Sequence, residues 1–201
     1  MPTSQRSSPG SAGAAGSSER AAAHNVFFGL FPDAATRAAI AAVAARIERE
    51  LAPRGRWIKP WRYHLTLQFL GSFQPLPVGL IECARTAAAR VRVAPFTLVL
   101  DRIGSFRRRN AVWWLGCSEP PAELDALWQS LDAELRRAGI PSRDAALVPH
   151  VTLLRDAAHA LAPLPVPGVR WRVSEFRLID SRLGAEAEYL AVGQWPLRET
   201  A

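Results

Sequence analysis

A four-residue pattern occurs twice in this chain, each time within a run of residues that has strand character. The copies, His64-Leu65-Thr66-Leu67 and His150-Val151-Thr152-Leu153, share the order histidine, aliphatic residue, threonine, leucine. Their histidines are 150 − 64 = 86 positions apart. A single His-x-Thr pattern is common in proteins, whereas two copies in matching strand contexts indicate a shared role.

The strand geometry predicts how these side chains are arranged. Successive side chains of a strand point to opposite faces, so a histidine and a threonine two positions apart share one face. The aliphatic residues between and after them face the other way and can enter a core. If the two strands lie against each other, two imidazoles and two hydroxyls surround one cleft.

This set of groups suits chemistry at phosphorus. Hydrolysis of a phosphodiester requires a base that activates water and an acid that protonates the leaving alkoxide, and two imidazoles in opposite protonation states can supply both. Two hydroxyls can donate hydrogen bonds to the non-bridging oxygens, which carry negative charge in the transition state. The pattern requires no metal, and no further metal ligands are evident beside either motif.

The composition excludes a disulfide-stabilised protein and a transmembrane protein, and its positive charge suggests an anionic partner. The chain has 201 residues and a net charge of +7, with Lys59 as its single lysine among 25 basic residues. A basic surface favours an anionic partner, and nucleic acid is the first candidate. An arginine-rich composition bias across the whole chain explains the same net charge without a partner. Cys83 and Cys117 are too few for a disulfide framework, and no apolar run is long enough to cross a bilayer.

The order of residues predicts a mixture of α and β structure. Residues 1–24 are rich in Ser, Gly and Ala, so we expect a disordered tail, with order beginning at Val26. Asp33 is expected to cap the first of three helices, and a leucine-rich helix is expected after Pro121. A loop is predicted around Pro163, Pro165 and Pro167. The predicted helices end near residues 51, 92 and 139, and the predicted strands lie at 26–31, 57–58, 64–70, 96–101, 111–117, 150–154, 171–179 and 189–195.

Taken together, the motifs and their flanks resemble the two-histidine phosphoesterase superfamily, and within it the RNA 2′,3′-cyclic phosphodiesterases, also called 2′-5′ RNA ligase-like proteins. The resemblance spans residues 26–197. Its carriers are Trp57-Ile58-Lys59-Pro60, residues 64–71, Val112-Trp113-Trp114-Leu115-Gly116, residues 149–156, Ser181-Arg182-Leu183, Tyr189 and Trp195-Pro196-Leu197. It implies one bilobal α+β domain over residues 25–198, with approximate two-fold symmetry, two antiparallel sheets flanked by helices, and a central cleft.

The resemblance also implies an activity and roles for residues. The expected activity is hydrolysis of a 2′,3′-cyclic phosphate, at an RNA end or in a small cyclic nucleotide, to a 2′-phosphate. His64 would be the general acid and His150 the general base, although a symmetric motif pair could work in reverse. Thr66 and Thr152 would hold the phosphate oxygens, and Arg155 would contact phosphate or stack on a nucleobase. We expect no metal, no cofactor, no membrane association, a monomer, and a cytoplasmic location.

Some residues depart from the family pattern, and a few others are weaker candidates for the site. The segment Ala145-Ala146-Leu147-Val148 carries no aromatic residue for base stacking, and Gln68, expected on the face of His64, replaces a lysine found in many relatives. Most tryptophans are expected in the core, with Trp61 the most exposed near the cleft. His24, His159 and the basic run at residues 107–109 are secondary candidates. Two alternatives remain open: 2′-5′ ligase or phosphodiesterase activity, and a non-catalytic RNA-binding module.

Overall fold

The computed structural model describes residues 23–106, 110–141, 146–182 and 188–198. Nine strands and three α-helices are found in this part of the chain. In chain order they are β1 (His24–Leu30), α1 (Ala34–Leu51), β2 (Arg56–Trp57), β3 (Leu65–Phe73), α2 (Val78–Ala88), β4 (Phe96–Phe106), β5 (Ala111–Gly116), α3 (Ala122–Arg137), β6 (His150–Ala157), β7 (Leu164–Val173), β8 (Glu175–Arg182) and β9 (Tyr189–Pro196). A 3₁₀ turn at Pro60–Arg62 precedes β3.

All strand pairs are antiparallel, and they form one open sheet in the order β7-β4-β5-β6-β3-β1-β8-β9, with β2 beside β6. The two predicted sheets are the halves of this sheet, which meet where Leu65 of β3 pairs with Val151 of β6. One half holds β3, β1, β8 and β9, and the other holds β6, β5, β4 and β7. The α+β class and the antiparallel architecture are confirmed.

The two halves share a local order of elements. In each, a strand leads into a long helix, and the chain returns as the motif strand beside the first strand: β1, α1 and β3 in one half, β5, α3 and β6 in the other. Gly29 of β1 is opposite Thr66, and Trp114 of β5 is opposite Thr152. The approximate two-fold relation expected from the resemblance is therefore present in the register of the motif strands.

The sequence signals for helices α1 and α3 are confirmed. The Asp33 carboxylate accepts a hydrogen bond of 2.7 Å from the Thr36 amide, which confirms the predicted cap of α1. Helix α3 buries one leucine face against the sheet and α2, as its spacing predicted. The buried leucines are Leu124, Leu127, Leu131 and Leu135. No helix in the described part of the chain is long and apolar enough to cross a membrane.

The predicted proline loop is wrong in part, because Pro165 and Pro167 lie within β7. This strand is the edge of the sheet and pairs only with β4, so a residue without an amide hydrogen can be placed where no neighbour needs it. The register is irregular there: Leu100 pairs with Val169, but Arg102 pairs with Pro165. An edge position with an irregular register is where prolines are compatible with a strand.

The first strand begins at His24, two residues before its predicted start. The His24 Nδ1–H donates to both oxygens of the buried Asp180 carboxylate, at 2.8 and 3.0 Å. This pair fastens the start of β1 to β8, so His24 belongs to the sheet and not to the predicted tail. Residues 1–22 of that tail lie outside the described residues.

Candidate active site

The two motifs meet at the centre of the sheet. The pair Leu65–Val151 is the middle residue of one motif facing the middle residue of the other. Because the strands are antiparallel, the register carries His64 towards Thr152 and Thr66 towards His150. Both middle residues are fully buried, and the flanking His and Thr side chains are partly exposed. The alternation predicted from the sequence therefore places two imidazoles and two hydroxyls on one face.

Each motif strand has a bulge at the leucine that ends the motif. In β3, Thr66 pairs with Gly29 and Gln68 pairs with the next residue of β1, Phe28. Leu67 is therefore an extra residue with no partner in β1. In β6 the same shift separates Thr152 from Leu154. A bulge adds one residue to a strand and reverses the alternation of faces beyond it.

The bulge in β3 overturns the expected position of Gln68. This side chain pairs with the core residue Phe28 and is 2% exposed, so it lies on the face opposite His64 and Thr66. Its Nε2 is buried with no hydrogen-bond partner among the described residues. Gln68 therefore belongs to the core side of the sheet and does not share the face of the two histidines.

The bulge in β6 turns Arg155 towards the cleft instead of the core. Strict alternation from His150 would turn position 155 towards the core, but the extra residue turns Leu154 inward and leaves Arg155 exposed at the cleft. Among the described residues no carboxylate forms an ion pair with Arg155, while its neighbour Asp156 pairs with Arg56 at 3.5 Å. The guanidinium is thus available to an anion.

Both imidazoles are held in the same way. His64 Nδ1 lies 2.7 Å from the carbonyl oxygen of Arg62, and His150 Nδ1 lies 2.7 Å from that of Val148. A carbonyl only accepts, so each Nδ1 must carry a proton and donate it. Each Nε2 is then the nitrogen left to accept a proton from, or donate one to, a bound molecule.

A cleft of about 320 Å³ adjoins the motifs. Polar groups on its wall come from both halves of the sheet, and apolar groups come from β4, β5, α3 and the segment before β6. Its lining residues are Thr66, Leu67, Phe106, Val112, Trp128, Ala146, Leu147, Val148, His150, Thr152 and Arg155. A cleft with an apolar wall and a few convergent polar groups is typical of a small-molecule site.

His64 lies beside this cleft and is packed among aromatic rings. The ring centroids of Phe27, Phe31 and Tyr189 are 4.9, 5.7 and 5.4 Å from that of the imidazole, with Phe31 nearly parallel to it and Tyr189 edge-on. The Tyr189 hydroxyl is 3.5 Å from His64 Nδ1, too long for a strong hydrogen bond. These three rings, called the His64 cage below, shield much of the imidazole from water.

His150 lies in a more open setting. Phe106 contacts it edge-on at 4.8 Å between centroids, and the His150 side chain lines the cleft. Trp114, expected in the core, is half-buried on the face of Thr152, where its indole covers Gly104. A β-carbon at Gly104 would lie 2.7 Å from that indole, so a larger residue there would displace the Trp114 ring.

The two histidines differ in how hard they are to protonate. Burial lowers the pKa of His64 to about 4, opposed by its bond to the Arg62 carbonyl and assisted by the charges of His150 and Arg155. Burial also lowers the pKa of His150, again opposed by a carbonyl and assisted by Arg155. At neutral pH the unliganded site therefore holds two neutral imidazoles.

Other candidates from the sequence are placed elsewhere. The His159 ring packs edge-on against Trp113, and its carbonyl accepts the indole N–H, so it is structural. Burial raises the pKa of the Cys117 thiol to about 11, which keeps it protonated. The basic run at 107–109, Ala145 and Leu183 lie outside the described residues. The described residues contain no cluster of three or more His, Cys, Asp or Glu side chains suited to a metal.

Sequence reasoning did not assign the His64 cage or the aromatic residues of the cleft. The signal for the cage was present at the end of β1 and just after it, where Phe27, Gly29 and Phe31 occupy alternate positions and Gly29 is opposite Thr66. Trp128 lies on helix α3, and only the tertiary fold brings it to the cleft. Phe106 and Trp128 supply the aromatic groups that the segment before His150 lacks.

Comparisons with known proteins agree with this arrangement. The 2′-5′ RNA ligase superfamily matches residues 31–185. The RNA 2′,3′-cyclic phosphodiesterase of Escherichia coli (strain K12) is 34% identical over 148 residues, which are 72% of this chain and 81% of that protein. The crystal structure of E. coli LigT in apo form has a TM-score of 0.74 at 30% identity and covers 89% of this chain and 100% of that chain.

A second structure of E. coli LigT, complexed with 3′-AMP, has a TM-score of 0.72 at 30% identity and covers 88% of this chain and 99% of that chain. The superfamily match includes both motif strands and the helices between them. With this match and a relative of over 30% identity across most of its length, the chain belongs to the 2′-5′ RNA ligase superfamily.

Proposed function

We propose that this protein hydrolyses 2′,3′-cyclic phosphates at RNA ends to 2′-phosphomonoesters, without a metal ion. The observation that carries the proposal is the junction at Leu65–Val151, which brings two His-x-Thr motifs to one face beside Arg155, a side chain with no ion pair among the described residues. Relatives from E. coli and two other bacteria are named RNA 2′,3′-cyclic phosphodiesterases, which supports RNA 2′,3′-cyclic phosphates as the substrate class. Both motifs come from one chain, so the proposed site is complete in a monomer.

The reaction replaces one phosphorus–oxygen bond by another. One imidazole takes a proton from water through Nε2, and the water oxygen bonds to phosphorus. The bond from phosphorus to the 3′-oxygen breaks, and the other imidazole, protonated at Nε2, donates its proton to that oxygen. The products are a 2′-phosphate and a free 3′-hydroxyl.

The remaining groups hold the charge of the phosphate. In this proposal the Thr66 and Thr152 hydroxyls donate to non-bridging oxygens, which is supported by their position on the face of the imidazoles. Arg155 adds a guanidinium that can bind an oxygen or stack on the base of the terminal nucleotide. The Nδ1 anchors fix the ring orientations, so the imidazoles need little rearrangement during the reaction.

The resemblance assigns the acid to His64 and the base to His150, and we propose that polarity. In the unliganded site the order of pKa values favours the reverse, because His64 is the harder histidine to protonate. The bound state decides, since an anionic phosphate raises the pKa of the imidazole it contacts. The His64 cage also offers aromatic faces, which stabilise a cation once the substrate excludes water.

The direct test uses purified protein in EDTA and a short RNA that ends in a 2′,3′-cyclic phosphate. We expect a 2′-phosphate product, and a rate about 10²–10⁴-fold lower in His64→Ala and in His150→Ala. His159→Ala serves as the matched control, because this histidine lies outside the cleft. A 3′-phosphate product, or no dependence on either motif histidine, would overturn the proposal.

A further inference from the structure

An exposed tryptophan lies next to the His64 side of the site. Trp61 is 54% exposed and is the one aromatic residue among the exposed large apolar side chains of the described residues. It belongs to the 3₁₀ turn at Pro60–Arg62, three positions before His64. An exposed indole offers a large, rigid aromatic face to a ligand while its N–H stays in water.

The indole is the outer member of a stack that ends at His64. The Arg62 guanidinium carbon lies 5.5 Å from the centroid of Trp61 and 4.7 Å from that of Tyr189. Tyr189 in turn contacts the His64 ring edge-on at 5.4 Å. We call Trp61, Arg62 and Tyr189 the outer ladder. It fixes the exposed indole at a set distance from a proposed catalytic group.

Positive charge accompanies the ladder. Among the described residues no carboxylate forms an ion pair with Arg62, and the charge of Arg62 lowers the pKa of His64. A guanidinium that stacks between two rings still presents its N–H edge to an anion. Lys59, also exposed and without an ion pair in the described chain, lies at the start of the same turn.

We propose that the outer ladder binds the second nucleotide from the RNA end, with its base on the free face of Trp61 and the internucleotide phosphate at Arg62. The inference rests on the proposed function, which places the terminal cyclic phosphate between the motifs. The cleft beside His150 and Arg155 takes the terminal nucleotide, and the ladder lies on the other side, beyond His64. An aromatic face with adjacent arginine is the usual platform for a single-stranded base.

The prediction is a preference for RNA over a mononucleotide. We would measure kcat/KM for adenosine 2′,3′-cyclic phosphate and for an adenosine dinucleotide that ends in the same group. Wild type is expected to favour the dinucleotide, and Trp61→Ala to lower the dinucleotide-to-mononucleotide ratio about tenfold, the scale of one base stack. Trp61→Phe should restore most of the ratio. Val78→Ala, a change at an exposed apolar residue of α2, should leave it unchanged.

A third substrate isolates the stacking contact. A dinucleotide that lacks the base at its second position should react with wild type as the normal dinucleotide reacts with Trp61→Ala. Trp61→Ala should then cause no further loss on this abasic substrate. An equal loss by the variant on all three substrates would show a structural role for Trp61 and overturn the proposal, as would an unchanged ratio.

Failure of the proposed function has a separate signature. If wild type hydrolyses neither cyclic phosphate, calorimetric titration with the 2′-phosphorylated mononucleotide and dinucleotide tests the ladder alone. Tighter binding of the dinucleotide that is lost in Trp61→Ala would support the ladder. Equal binding of both ligands by wild type would overturn it.

Discussion

The two motif sites have the same backbone and different surroundings. Each places a histidine and a threonine on one face, anchors the imidazole on the carbonyl two residues earlier, and ends in a bulge at a leucine. Beyond the bulge the equivalent positions are Phe69 in β3 and Arg155 in β6. One site is therefore lined by aromatic rings, and the other opens to the cleft beside a guanidinium. Symmetry of the fold supplies two similar imidazoles, and asymmetry of the packing gives them different surroundings, on which the proposed separation of acid and base roles depends.

The largest expected effect tests which imidazole is the acid. When the 3′-bridging oxygen of the substrate is replaced by sulfur, the leaving thiolate needs little protonation. We expect this substrate to restore the activity of His64→Ala by at least about 100-fold relative to the oxygen substrate, because only the acid has become dispensable. His150→Ala should gain nothing comparable, since attack by water still needs a base. Rescue of His150→Ala alone would reverse the proposed polarity.

A second effect concerns stability in acid. The pKa of His64 is about 4 in the folded protein, against 6.5 for the free side chain, so the unfolded chain binds more protons between these values. Stability is therefore fully present above pH 6.5 and falls as the pH drops towards 4. His64→Asn, which does not titrate, should reduce this loss by up to about 3 kcal/mol.

A matched variant at His150 tests whether the acid-dependent loss of stability is specific to the His64 site. His150 has a lowered pKa but lies in the more open site, so His150→Asn should reduce the acid-dependent loss by less than His64→Asn does. Urea unfolding at pH 6.5, 5.5 and 4.5 measures both. Equal pH slopes for the two variants would mean that the His64 cage does not desolvate its imidazole more strongly than the cleft does.

A third effect tests the residues that follow the bulges. Arg155→Gln should lower kcat/KM about 10- to 100-fold, the value of a charge-assisted hydrogen bond to an anion. Phe69→Leu, at the equivalent position of the other half, should change it far less. Arg170→Gln is the matched control, because Arg170 is exposed on the edge strand and lies outside the cleft. If Arg155→Gln behaves like Arg170→Gln, the β6 bulge does not serve the phosphate.

Local pattern predicted much of this molecule. The faces of His64, Thr66, His150 and Thr152 follow from alternation alone, and the Asp33 cap and the leucines of α3 follow from side-chain chemistry and helical spacing. These features depend on residues close together in the sequence. The order of the predicted elements indicated a mixture of α and β structure, and the family resemblance then supplied the approximate two-fold arrangement of the antiparallel strands, which local patterns leave undetermined.

The parts that sequence reasoning missed depend on distant residues. A bulge is defined by the partner strand, so nothing in residues 64–69 indicates that Gln68 turns to the core and Phe69 to the other face. Prolines 165 and 167 are compatible with a strand only because β7 is an edge, which depends on the whole sheet order. Tyr189 reaches His64 from 125 positions away, which no local pattern could reveal.

The smallest expected effect separates the ring of Tyr189 from its hydroxyl. The His64 Nδ1–H is donated to the Arg62 carbonyl at 2.7 Å, while the hydroxyl oxygen lies at 3.5 Å, so the phenol group contributes little to the orientation of the imidazole. Tyr189→Phe should therefore lower kcat/KM by less than about threefold, or roughly 0.7 kcal/mol. Tyr189→Leu should cost more, because it removes the ring on which both the His64 cage and the Arg62 contact depend. A loss above tenfold in Tyr189→Phe would mean that the hydroxyl takes part once substrate is bound, and the His64 site would then differ from the His150 site in its proton chemistry as well as in its packing.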